Sequence, residues 1–270
     1  MLMLSGRSEE LVNIVTWNLR CEWRGDGINA FIHRAGLIYE KITAERPSVI
    51  AFQEVIPESL EVLRRLLPEY EFFGGMRTET HDGEGLYTAI LREEMLLLGG
   101  EVFWLSPTPY TVGSRFESQS IFPRICVYTR LVHKPSGEIL HLFNLHLDYL
   151  SQTAAEEGLA CTLGYIRDRA ACIDTDRVAI LGDFNLPADS AALAPLRGEA
   201  WLYEATEGIG GTYHAFGERR SAEGEREDLG IDHIFLSAAL RGRVAAVSRW
   251  CDCHAGIYLS DHYPVCLTLV

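Results

Sequence analysis

The chain has 270 residues, 47% hydrophobic and 23% charged, and its 38 acidic against 24 basic side chains give a formal net charge of −14. A length of this order buries roughly 75% of the surface an unfolded chain exposes, so a core forms without staples, and the composition excludes disorder, collagen and coiled coil. The acidic balance argues against a grip on long polyanions, because sequence-blind nucleic-acid binding rests on clustered Lys and Arg releasing counterions; no apolar run approaches the ~20 residues of a membrane span.

The opening MLMLSGRSEE lacks the basic start and long apolar core of a secretory signal, so a cytoplasmic location is expected. Seven cysteines (Cys21, Cys126, Cys161, Cys172, Cys251, Cys253 and Cys266), odd in number and mostly within apolar runs, read as reduced core thiols rather than a disulfide framework. Cys251 and Cys253 with His254 have no second ligand pair at zinc spacing, which favours ordinary packing over a metal clip. With no repeat, low-complexity tract or Pro-rich linker, residues 1–270 read as one domain.

In chain order, the β-branched run at 13–17 predicts a strand, and Ile28, Phe31, Ile32, Ala35, Ile38 and Ile42 recur at helical spacing until Pro47. Residues 48–52 predict a buried strand, and Pro57 stands at a first helical position before Leu60, Leu63 and Leu67. From Leu86 the runs are mostly strands, at 86–91, 95–98, 125–132 and 139–147, the last two parted by Pro135, Ser136 and Gly137 as in a hairpin. A helix over 154–171 follows, then strands at 177–181, 231–236, 243–247 and 265–270. So many strands with few helices imply an α/β protein of two stacked sheets with helices outside, since each sheet must bury a face. Residues 208–230, rich in Gly and charge, read as a mobile surface loop.

Buried-looking strands repeatedly end in the same polar residues: Asn18 after IVTW, Glu54 after VIAFQ, His146 and Asp148 after LFNL, Asp183 and Asn185 after VAILG. Asp232 starts the IDHIFL run, and Asp261 with His262 precedes YPVCLTLV. Strand ends aim side chains into one cleft, and carboxylates, amides and imidazoles hold a hard divalent cation and handle protons. An Asp beside a Gly, as at Gly182-Asp183, is by itself more often a turn residue; six such sites in one chain point to a shared function.

These segments, VTWNLR, FQEV, FNLHLD, LGDFN, IDHIF and SDHYPV, resemble the six signature segments of the endonuclease/exonuclease/phosphatase superfamily, in the family's order and across residues 14–266. EVFWLSPTP, the Gly75-Met76-Arg77 loop with Gly83-Glu84, and FNLHLDYLS are most similar to its bacterial branch, related to deadenylase and nocturnin-like enzymes. The resemblance implies a four-layer α/β/β/α sandwich with the active site at the open end of the two sheets.

It also implies roles. Glu54 would be the main metal ligand, with Asn18 beside it and Asp261 able to join, an oxygen-rich set suited to Mg²⁺ or Mn²⁺. Asp183 would orient or deprotonate the attacking water while the Asn185 amide donates toward the phosphoryl group. His262 would contact the phosphate with Asp232 accepting its other ring proton, and His146 would be a second imidazole there. Arg77 and Arg124 are candidates for clamping a phosphate or a substrate terminus, or else solvated surface arginines. Tyr213 and His214 lie in a loop where the family contacts substrate, and an aromatic there would stack on a base. Trp104 reads as core, His33 and His133 as solvated.

One departure bears on substrate. The DNA-repair branch carries a carboxylate two residues after the Asn of its WN dipeptide, whereas this chain has Arg20. That points to one metal ion, or a weak second one, and away from DNA repair. The expected activity is a metal-dependent phosphodiesterase on nucleotides, nucleic-acid ends or other small phosphodiesters, with small or single-stranded substrates favoured over duplex DNA. The alternatives are a phosphomonoesterase, a sphingomyelinase-like phospholipase, for which no exposed apolar docking loop is visible in the sequence, and a non-catalytic interaction module.

Overall fold

The computed structural model describes residues 11–21, 24–225 and 227–270; the segment read above against a secretory signal lies outside them. β1 (Val12–Asn18) and β2 (Val49–Val55) run parallel, which demands a crossover, and α1 (Phe31–Glu45) supplies it, burying Phe31, Arg34, Ala35, Ile38 and Ile42. Ile28 and Ile32 do not join that face. Both are exposed, and Ile28 lies in a short 3-10 turn ahead of the helix. α2 (Pro57–Leu66) starts at Pro57 as expected and leads to β3 (Tyr70–Met76) and β4 (Gly85–Leu91).

β5 (Met95–Trp104), β6 (Ile125–His133) and β7 (Ile139–His146) form an antiparallel meander. α3 (Gln152–Asp168), whose first turn is capped by the Ser151 hydroxyl accepting from Ala154 N, then crosses to β8 (Val178–Asp183), parallel to β7. After α4 (Ala194–Arg197) come β9 (Leu202–Glu204), β10 (Asp232–Ser237), β11 (Val244–Arg249), the small ribbon β12 (Cys253–His254) with β13 (Ile257–Tyr258), and β14 (Val265–Leu269).

The strands assemble into two mixed six-stranded sheets, ordered β11-β14-β1-β2-β4-β3 and β5-β6-β7-β8-β10-β9. Ile14, Val49, Ala51, Ile90 and Leu267 of the first face Leu142, Ala179, Leu181 and Ile234 of the second. α1 and α2 cover the outer face of the first sheet, with Trp17, Phe52, Ile38 and Leu63 buried there; α3 covers the second, its Leu159 in one cluster with Phe103, Phe143 and Phe235. This is the four-layer α/β/β/α sandwich. Each sheet holds one parallel pair, β1 with β2 and β7 with β8, and these pairs lie against each other. Their carboxyl ends therefore open at one place, where open α/β sheets bind ligands.

Several expectations need correction. β3 and β9 carry no clear sequence signal, and β5 runs six residues beyond 98 through a bulge between Leu97 and Gly99. α3 ends at Asp168 rather than 171. The 208–230 segment is not a free loop throughout: Leu229 N donates to Tyr213 O and Tyr213 N to Leu229 O, and Tyr213 bridges to His262. Cys126 and Cys266 are buried, but Cys172, Cys251 and Cys253 are exposed. His133 is buried with Nδ1 2.9 Å from Ser136 Oγ, not solvated, whereas His33 is exposed.

Candidate active site

Six polar side chains converge at the shared carboxyl end. Asn18, His146 and Asp183 are the last residues of β1, β7 and β8; Asp232 is the first of β10. Strand pairing sets Asp183 opposite both His146 and Asp232. His262 arrives on the loop before β14. One oxygen, Asp183 Oδ2, is the hub: Asn18 Nδ2 donates to it at 2.8 Å, and His146 Nε2 and His262 Nε2 stand 3.6 and 3.7 Å away. His262 Nδ1 is 2.8 Å from Asp232 Oδ2. Asn18 Nδ2 also donates to Glu54 Oε1 at 3.0 Å, and Cys21 N donates to Glu54 Oε2 at 3.0 Å.

The backbone is strained where these groups are aimed. Glu54, Arg20 and Asn185 have φ of 56°, 58° and 53°, the left-handed region that side chains other than glycine rarely adopt. At Glu54 this coincides with a bulge in the pairing of β2 with β4 between Phe52 and Val55, which re-aims the carboxylate. Asn185 N turns back to donate to Asp183 Oδ1 at 2.9 Å, fixing that carboxylate from its other side.

Burial pushes Asp183 up to about 7, opposed by His262, reinforced by Asp232 and opposed again by hydrogen bonds from Asn18 and Asn185. Burial works against the His262 cation, but Asp232 and Asp183 more than offset it and raise the ring to about 10. His146 goes the other way. Burial and the nearby Arg124, Arg77 and His262 hold it well below its ordinary value, hence neutral. Glu54 stays ionised: burial opposes this, but Asn18, the Cys21 N–H, His262 and Arg20 outweigh it. The cleft thus holds one imidazolium and one neutral imidazole on the same carboxylate oxygen.

Glu54, His146 and Asp183 each bring a donor atom within 4.8 Å of one another, a mixed oxygen and nitrogen set that fits a divalent cation. Asp183, Asp232 and His262 are equally close, but a protonated His262 makes that trio a hydrogen-bond relay. Of the other expected ligands, Asn18 turns its amide nitrogen to both carboxylates while its Oδ1 accepts from Arg20 N at 2.9 Å. Asp261 accepts from the Ser260 hydroxyl at 3.2 Å, with Arg20 Nε 3.7 Å from its Oδ2. Arg20 is held by two 3.1 Å bonds to Asp26, which fixes its guanidinium beside the Asp261 carboxylate.

Beside His146 a small cavity is lined by Arg77, Arg124, Glu84, Gly85, Leu86 and Ile125. Arg77 Nη1 pairs with Glu84 at 2.8 Å, and the Trp104 indole donates to Arg77 O at 2.9 Å, so the core tryptophan holds the arginine loop. Burial and Arg77 lower the Arg124 guanidinium, while burial and Glu54 raise Glu84.

The sequence pattern of the Endonuclease/Exonuclease/phosphatase family matches residues 15–262, a span that takes in all these strand ends. The chain belongs to that family. No curated protein matches it, but solved structures do. An endonuclease/exonuclease/phosphatase from Bacteroides vulgatus is 24% identical with a TM-score of 0.84, covering 97% of this chain and 99% of its own. The Bacteroides thetaiotaomicron mannosyl-6-phosphatase Bt3783 is 22% identical at 0.82, covering 96% and 99%. D. rerio TDP2 complexed with a single-strand DNA product is 21% identical at 0.70, again covering 96% and 99%. At these identities the likeness establishes the fold.

In this family member the structure brings Asn18, Glu54, His146, Asp183, Asn185, Asp232, Asp261 and His262 to one cleft, with Arg77 and Arg124 beside it. It corrects His214. That ring is 0% exposed, stacked 3.9 Å from Tyr263, and its Nδ1 accepts from Gly217 N, so it presents no face to a substrate. Tyr213 is the cleft-side neighbour, its ring 4.9 Å from that of His262. Asp148 is also structural: its carboxylate accepts from Ser120 Oγ and from the N–H groups of Ser120, Leu150 and Ser151.

Sequence reasoning missed the braces. Arg34 is fully buried and donates to the carbonyls of Leu19, Arg20, Asn29 and Leu259, tying the loop after β1 to the loop that carries Asp261 and His262. Its helical register gave it away only as an arginine on the buried face of α1. Gln53 Nε2 donates to Asn144 Oδ1 at 2.8 Å and Asn144 Nδ2 to Phe52 O at 3.1 Å, locking the sheets together directly beneath Glu54. Both lie within the quoted segments FQEV and FNLHLD.

Proposed function

We propose that this chain is a divalent-metal-dependent phosphodiesterase that hydrolyses nucleotides, nucleic-acid ends or other small phosphodiesters by in-line attack of water, and that residues 1–270 act as one cytoplasmic domain. The observation that carries the reading is the Asp183 oxygen shared by Asn18, His146 and His262. Phosphoryl transfer asks mainly for positioning and charge stabilisation. Ionised Asp183 orients a water and takes its proton as the water oxygen bonds to phosphorus; the opposite P–O ester bond breaks, and the leaving oxygen departs with the bonding pair and takes up a proton from solvent. His262, kept charged by Asp232, donates from Nε2 to a phosphoryl oxygen, and neutral His146 donates to another. The Asn185 amide, which bonds to Leu147 O at 3.2 Å, would exchange that partner for a phosphoryl oxygen.

Glu54, with Asn18 and Asp261 alongside, would hold Mg²⁺ or Mn²⁺. Such an ion supplies charge neutralisation at the phosphoryl and leaving oxygens. Phosphomonoesterase activity is the second reading. It is favoured by the two arginines beside His146, which suit a dianion, and accords with the phosphatase named among the similar structures. Rates on bis(p-nitrophenyl) phosphate and p-nitrophenyl phosphate, each with Mg²⁺, Mn²⁺ or chelator, separate the two. Faster diester turnover is expected; a monoester preference of ten-fold or more reverses the order, and no metal-dependent turnover on either removes both.

A further inference from the structure

Arg77 and Arg124 are 6% and 4% exposed, yet Nε of each and Nη1 of Arg124 find no hydrogen-bond acceptor among the described residues. Buried guanidinium N–H groups left unmatched are costly, and two such cations side by side suit an anionic guest. Each is covered by an aromatic ring: Phe122 with its centroid 4.4 Å from Arg77 Cζ, and Tyr149 with its centroid 6.0 Å from Arg124 Cζ. The rings sit on neighbouring loops fixed by one carboxylate, since Asp148 accepts from Ser120 on one loop and from Leu150 and Ser151 on the other.

Phe122 and Tyr149 remain 40% and 53% exposed, and their chain neighbours Ile121 and Leu150 are 69% and 65% exposed. A cluster of large apolar side chains on rigid loops, around buried cations and on a strongly acidic protein, marks a binding site rather than chance exposure. The cations select a phosphate. The rings, one face toward a guanidinium, offer the rest of their surface for stacking. The −14 charge opposes docking on an anionic membrane.

We propose that the substrate is a phosphoester carrying a flat aromatic group, of the nucleotide type, with its phosphate oxygens on Arg77 and Arg124 and its ring on Phe122 and Tyr149. This rests on the reading of the cleft as a phosphoesterase and specifies what it takes. The test is calorimetric titration of the purified protein in chelator, where no turnover is expected, with AMP and with ribose 5-phosphate. AMP should bind about ten-fold tighter. Phe122→Leu, which keeps apolar bulk but loses the ring, and Tyr149→Ala should each reduce that preference by weakening AMP more than ribose 5-phosphate; Arg124→Met should weaken both ligands. Equal affinities, no binding of either, or a preference that survives both ring substitutions would overturn the proposal. So would co-sedimentation with phosphatidylcholine vesicles abolished by Phe122→Leu, which would make the rim a membrane-docking surface. Metal-dependent turnover without a ring preference removes this proposal alone. A ring preference without turnover removes the assigned reaction and leaves the binding site.

Discussion

Asp183 is buried among groups that pull its proton in both directions, and the balance leaves it at about 7 while His262 stands at about 10. A base must be ionised and the imidazolium intact for the assigned roles, so kcat/KM should rise with pH to a plateau above about 7 and fall again near 10. A flat profile across that range would contradict the assignment. The linkage to stability has one sign for both groups. Folded Asp183 binds a proton between the ordinary carboxylate value and about 7, and folded His262 between its ordinary value and about 10, where the unfolded chain does not. Each contribution is therefore fully present at the low-pH end of its window and is lost as pH rises through the folded value. Asp183→Asn, which removes the charge that burial opposes, should raise the Tm of the metal-free protein by about 2–4 °C at pH 8. The same substitution should lower kcat by about 100- to 10,000-fold. A lowered Tm would mean that the loss of His262's partner outweighs the relief.

Strand ends matter more than strand interiors here, and Gly182 shows why. It lies within β8 at φ 145°, paired with Leu145 of β7, and a Cβ there would lie 1.9 Å from Leu145 O, so only glycine lets Asp183 follow. Gly182→Ala should cost on the order of 3 kcal/mol, read as a drop in urea midpoint. Arg34→Met should cost a similar amount by stranding four carbonyls, and should also lower kcat because the Asp261–His262 loop loses its tie to β1. An unchanged midpoint in either variant would contradict its role. The same local logic decides what was legible. β1, β2, β7 and β8 are buried, largely apolar runs, and Asn18, Glu54, His146 and Asp183, at or next to their carboxyl ends, stand out against them. β3 pairs only at an edge, is mostly half-buried and contains Gly74-Gly75, so its alternation is weak. β9 is three residues long. His214 looked like its neighbour Tyr213 because a sequence does not say which of two adjacent rings turns inward.

Over the whole molecule, the cleft concentrates Arg20, Arg77, Arg124 and His262 within a surface of net charge −14. The arginines are placed one at a time by Asp26, Glu84 and aromatic covers rather than spread as a basic face. Binding of duplex DNA at physiological salt should accordingly be weak and steeply salt-dependent, whereas small phosphoesters should show little salt dependence. Filter binding over a range of salt checks this, and sub-micromolar duplex affinity at physiological ionic strength would contradict it. No helix among the described residues is long and apolar enough to cross a membrane. Two stacked sheets followed from many strands with few helices, and the residues of the cleft from strands ending in acid, amide and imidazole together with the family resemblance. The braces Arg34, Gln53 and Asn144, and the apolar rim at Ile121, Phe122, Tyr149 and Leu150, depend on which loops meet, and that only the fold reveals.

The central claim is that Asp183 and a divalent ion together hydrolyse a phosphoester in this cleft. The direct measurement is turnover of a chromogenic phosphodiester by the wild type and by Asp183→Ala, each with Mn²⁺ and then with excess chelator. Turnover that requires the metal and falls by at least about 100-fold in Asp183→Ala is the predicted result. Turnover that persists in chelator, or is undiminished without Asp183, would contradict it.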